Sequence, residues 1–179
     1  MLICERPLFW HKAGDIGMSG RYDVAQICSN GHVVNTYAIA FSQHNSNFCP
    51  KCGAATMMKC PGCGTQIRGQ YDVPGIVSLS SSYKEPGFCH ACGKPYPWTE
   101  SRIQSARDLI EIEDKFSDAD KAALTADLPD LVRDTPRTQV AATRFKKLAA
   151  KAAGGVASAL RDIIVDVASE AAKKTILGP

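Results

Sequence analysis

The sequence predicts an α+β protein, with short β-hairpins in its N-terminal half and about four helices in its C-terminal half. Three observations lead there. Seven of the eight cysteines lie between positions 28 and 92, six of them in pairs three positions apart. Residues 21–98 are rich in Gly, Pro, Ser and aromatic side chains and show no long helical periodicity. From Trp98–Thr99 onward the chain turns to Ala, Leu, Ile, Lys, Asp and Glu and contains no cysteine. The expected organisation is an N-terminal extension over 1–20, a cysteine-rich domain over 21–98 and a helical domain over 99–179.

The expected strands are Tyr22–Ile27, Val33–Phe41 and Gly75–Leu79, short β-prone runs bounded by turn formers. So little apolar material cannot fill a large core, so something else must supply folding free energy. In the helical part, Thr99 is a candidate cap for a first helix reaching about Lys115, with Ile103, Ala106, Leu109 and Ile110 on one stripe. Ser117-Asp-Ala-Asp starts a second, limited by Pro129. Thr135-Pro136 starts a third, broken at Gly154-Gly155. The fourth runs from about Val156 to Leu177, with Leu160, Ile163, Ile164 and Val167 at helical spacing.

The cysteines carry the chemistry. Cys60-Pro-Gly-Cys63-Gly and Cys89-His-Ala-Cys92-Gly are matching turns separated by 25 residues. Two cysteines so spaced point the same way, and the following glycine turns the backbone so that amides face the sulfurs. Cys49-Pro-Lys-Cys52-Gly is a third such turn, and Cys28-Ser-Asn-Gly-His32 is its irregular partner. These spacings predict two structural zinc ions (Zn2+), one held by Cys60, Cys63, Cys89 and Cys92 and the other by Cys28, His32, Cys49 and Cys52. His44 is the fallback for His32; His90 points away from the metal, and Cys4 and His11 are bystanders.

The segments Tyr22 to His32, Cys49 to Gly53 and Cys89 to Glu100 resemble the bacterial family catalogued as domain of unknown function 2321, from about Tyr22 to the C-terminus. The resemblance implies a double zinc ribbon at the N-terminus and brings no activity with it. Residues 1–17 depart from the family pattern, and Met18 is a plausible second start.

The remaining features weigh on function. The formal charge is +3, but seven ligating thiolates and two zinc ions bring the chain near zero, which weakens the case for nucleic acid. Residues 99–130 carry four Lys/Arg and nine Asp/Glu, whereas 131–179 carry nine and four, so acidic and basic helices are expected to pack together. Neither cysteine group has a carboxylate nearby to act as general base: 21–98 contains only Asp23, Asp72 and Glu85. The start lacks a charged head followed by an apolar run, and no stretch of 18 apolar residues occurs, so a reducing cytoplasm is expected.

The expectation is a non-enzymatic module that binds another protein or assembles with itself through its C-terminal helices. The alternative is nucleic acid bound by the ribbon hairpins and the basic helix at 136–153, through Arg137, Arg144, Lys146, Lys147 and Lys151. A further alternative is an enzyme with an unrecognised site. A membrane surface is disfavoured, because the polar face of the last helix carries Asp162, Asp166 and Glu170.

Overall fold

The computed structural model describes residues 20–73 and 82–178. The extension expected over 1–20 (all but Gly20) and the strand expected at 75–79 lie outside these. The fold is α+β, with small antiparallel hairpins followed by five helices.

Strands β1 (Arg21–Val24), β2 (Gln26–Cys28), β3 (Val33–Asn35), β4 (Thr56–Met57) and β5 (Arg68–Asp72) make two antiparallel sheets, β1-β5 and β3-β2-β4. The expected strand Tyr22–Ile27 is therefore shared between two sheets. Ala25, fully buried, marks the transfer, its N–H donating to Ile67 O at 2.9 Å. The expected strand Val33–Phe41 stops at Asn35 for a local reason. The Asn35 side-chain oxygen accepts from Tyr37 N, and its amide donates to Phe41 O and to Asn45 Oδ1. Side-chain bonds of this kind offer the backbone a turn in place of a ladder. Asp23 secures the loop, accepting from Ile39 N and Ala40 N at 3.0 and 3.1 Å.

Helix α1 (Pro97–Ile112) starts two residues before the expected cap, with Pro97 in its first turn. Thr99 is buried inside it and donates its hydroxyl to Gly87 O at 2.9 Å. At its other end Glu113, only 4% exposed, accepts from Lys115 N and Ala153 N, tying two loops together. Helix α2 (Asp118–Leu131) has the expected capping box: Ser117 Oγ accepts from Asp120 N, and Asp120 Oδ2 accepts from Ser117 N. It continues through Pro129, because Leu128 and Leu131 on either side are fully buried.

Helix α3 (Thr138–Ala149) is shorter than expected at both ends. Thr135 and Thr138 spend their hydroxyls on the preceding turn, where Thr138 Oγ1 accepts from Thr135 N and donates to Arg133 O. The expected fourth helix is two: α4 (Gly154–Val167), opened rather than preceded by its glycines, and α5 (Glu170–Leu177). Ser169 makes the break. Its N–H donates to Leu131 O at 3.0 Å, and its Oγ accepts from Ala172 N as the cap of α5.

Two apolar clusters result. The helices bury fifteen residues, among them Phe145, Leu128, Leu131, Leu160 and Ile164. The cluster of the hairpin half holds seven: Ala25, Ile27, Cys60, Ile67, Cys89, Tyr96 and Trp98. Helices α2 and α3 run antiparallel with three ion pairs along their seam, Asp130–Arg137, Asp127–Arg144 and Asp120–Lys151, at 2.9 to 3.0 Å. The basic partners recur every seven residues, Arg144 on α3 and Arg137 and Lys151 just beyond its two ends. The acidic and basic helices thus pack together. Asp127 is buried to 2% exposure, and desolvation raises its carboxyl pKa above the usual range, although Arg144 opposes the shift.

Among the described residues no helix is long and apolar enough to cross a membrane.

Candidate metal centre

Three turns repeat one backbone pattern. In each, the first cysteine's N–H donates to the carbonyl five residues on, and the glycine after the pair donates back to that cysteine's carbonyl. The bonds are Cys49 N to Ala54 O with Gly53 N to Cys49 O, Cys60 N to Thr65 O with Gly64 N to Cys60 O, and Cys89 N to Lys94 O with Gly93 N to Cys89 O. All six fall between 2.8 and 2.9 Å. Closing the loop requires the left-handed backbone that glycine adopts without penalty, and Gly53, Gly64 and Gly93 have φ of 71°, 74° and 69°.

The fourth turn is tighter. Cys28 N donates to His32 O, four residues on, and Gly31 N to Cys28 O, so the glycine precedes the second donor instead of following it. Gly31 has φ of 88°, and its α-carbon backs onto Trp98 so closely that an added side-chain carbon would sit 3.0 Å from Trp98 Cβ.

These turns bring the donors together as the spacings predict. Cys28, His32, Cys49 and Cys52 form one group and Cys60, Cys63, Cys89 and Cys92 another, all ligand atoms of each within 4.8 Å of one another. In the second group Cys60–Cys92 and Cys63–Cys89 Sγ separations are 3.8 and 3.7 Å. In the first, Cys28–Cys52 is 3.8 Å, and His32 Nδ1 lies 3.6, 3.3 and 3.7 Å from the sulfurs of Cys28, Cys52 and Cys49. A disulfide would need about 2.05 Å. A tetrahedral ion with metal–sulfur bonds of about 2.3 Å needs edges of about 3.8 Å, so the donors fit a metal. His90 is exposed in its turn, and His44 is exposed in the 3-10 turn Ser42–His44, outside the group.

The electrostatics call for a cation. Backbone N–H groups aimed at sulfur hold thiols low: Cys52 at about 6, chiefly through Ala54, and Cys89 at about 6, through Cys92 and Ala91. The Lys94 N–H favours the Cys92 thiolate, yet burial and the three neighbouring sulfurs push that thiol up to about 11. Four thiols this close cannot all ionise without a positive charge among them.

Sequence reasoning did not single out two polar neighbours. The Asn30 amide donates to Cys52 Sγ at 3.4 Å, and the Thr65 hydroxyl lies 3.4 Å from Cys63 Sγ. Their positions inside the turns, two residues after Cys28 and Cys63, were the available signal. The aromatics divide. Tyr96 and Trp98 are 1% exposed and stack at 4.6 Å, whereas Tyr22 and Tyr71 meet edge-on at the surface.

Hairpin turns carrying two closed sets of four donors, joined to a helical region, define an α+β protein with two cysteine-rich groups able to hold metal. More particularly, the chain belongs to the bacterial family catalogued as domain of unknown function 2321, described as an uncharacterized protein conserved in bacteria, whose sequence model matches residues 21–176. No curated protein and no solved structure matches the chain.

Proposed function

We propose that two structural zinc ions hold the hairpin half in shape and that the protein is a non-enzymatic, cytoplasmic adaptor binding another protein through that half. Zinc suits closed Cys4 and Cys3His sets, which leave no position for water. The carrying observation is where large apolar side chains stay exposed. Of nine among the described residues, six lie in the hairpin half: Tyr22, Ile39, Phe41, Phe48, Met58 and Tyr71. Phe48, beside ligand Cys49, is 64% exposed. That half carries twice as many exposed large apolar side chains as the helices, which supports it as the side that meets a protein partner.

The other readings draw less support. On the basic helix, Arg137, Arg144 and Lys151 are each paired with a carboxylate of α2, which offsets their charge and leaves Lys146 and Lys147 as the exposed cations there. The stripe expected to assemble copies faces inward, with Leu160 and Ile164 fully buried in the chain's own core. Of the carboxylates in 21–98, Asp23 is spent on backbone amides and Glu85 on Arg102, which weighs against an acid–base role.

Photo-crosslinking in the native cell tests the reading. A benzoylphenylalanine at Phe48 is expected to give discrete, nuclease-resistant protein adducts that disappear in the Phe41→Asp variant. Adducts that nuclease removes would transfer the role to nucleic acid. Adducts only to the chain itself would make the protein a self-assembling one.

A further inference from the structure

We infer that the two metal groups bind as one cooperative unit, coupled through the Tyr96–Trp98 stack. The inference rests on both groups being metal sites, as proposed above.

Two physical connections join them. The first is aromatic. The turn that carries Cys28 and His32 presses on Trp98 through Gly31. The Trp98 indole stacks on Tyr96 at 4.6 Å with an interplanar angle of 15°. Tyr96 in turn is packed with Cys60 and Cys89, ligands of the other group. Trp98 is pinned by its Nε1–H, which donates to Pro86 O at 2.9 Å.

The second connection is the backbone. Strand β4 leaves the Cys49–Gly53 turn, pairs Thr56 with Cys28 and Met57 with Ile27, and enters the Cys60–Gly64 turn within a few residues. Ile67, just past that turn, donates to Met58 O and accepts from Ala25 N. Ligand-bearing segments of both groups therefore share one buried cluster. If one group loses its ion and its turn loosens, Trp98 loses a wall, Tyr96 loses its stacking partner, and the other group loses packing on Cys60 and Cys89. A packed element that both sites bias in this way is what couples two binding equilibria.

Cobalt(II) is the probe, because its absorption bands distinguish a Cys4 from a Cys3His donor set. Cys52 and Cys63 are exposed, so serine at either removes a ligand without opening the core. In the full chain, Cys52→Ser is expected to weaken Co2+ binding at the Cys60–Cys92 group by about tenfold, and Cys63→Ser to weaken the other group by the same factor, as reciprocity demands. In a Trp98→Ala background each factor falls toward one, and Trp98→Phe, which retains a ring, restores most of it. If Trp98→Ala does not fold, the two serine variants and the Trp98→Phe pair decide the matter. Affinities unchanged within twofold by loss of the other group would overturn the coupling. No Co2+ bound at either group would instead overturn the zinc reading.

Discussion

The two halves of this molecule reach order by different means. The helical half gathers fifteen buried residues in one apolar cluster, and α2 and α5 are capped by Ser117 and Ser169. The apolar cluster of the hairpin half has seven, under strands of two to five residues, and four of the side chains this half buries, Cys28, Cys49, Cys60 and Cys89, are candidate metal ligands. Strands that short are not stable alone. What the helices obtain from removing hydrocarbon from water, the hairpins obtain, under the function proposed above, from bonds to an ion. Changes at cysteine should therefore leave the helices standing, and changes in the helical core should leave the metal bound.

The largest effect is expected from Cys89→Ser. A structural zinc site contributes on the order of 10 kcal/mol, so the Cys60–Gly64 and Cys89–Gly93 turns should lose their amide protection while helical circular dichroism persists. Hydrogen exchange read by mass spectrometry separates the two halves; protected turns in that variant would erase the contrast.

Acid is next. Cys52 and Cys89 sit at about 6 against an ordinary 9.0, so the stability from their ionised forms is complete above 9.0 and disappears as pH falls through 6. Bound metal competes with protons and carries the loss lower still. Release into a chromophoric chelator should therefore rise steeply on the acid side of 6, ahead of any loss of helix.

Ile164→Ala tests the opposite half. It should cost about 2–5 kcal/mol by urea titration of the helical signal, with metal content unchanged. Asn30→Ala should weaken the Cys28 group about tenfold in a chelator competition, since groups that orient a ligand typically matter by that much. Ser117→Ala should cost about 1 kcal/mol, seen as a small fall in the helical midpoint.

How much was legible follows the same division. The ligand groups follow from spacing, because a turn of fixed length places two donors on one side regardless of what surrounds it. The box at Ser117 is equally local. What escaped the sequence depends on distant partners. Thr99 caps nothing because Gly87, twelve residues earlier, takes its proton. The break at Ser169 is set by Leu131 O, and passage through Pro129 by the burial of leucines around it. Asn35 was the exception, a local turn former inside a β-prone run that could have ended the expected strand where the structure ends it.

The charged seam between α2 and α3 has a consequence for assembly during folding. Because Asp127 is buried, any packing of α2 on α3 that parts it from Arg144 and offers no other cation leaves a carboxylate away from water without a counter-ion. The pair therefore penalises frames that leave Asp127 unmatched more than it stabilises the right one.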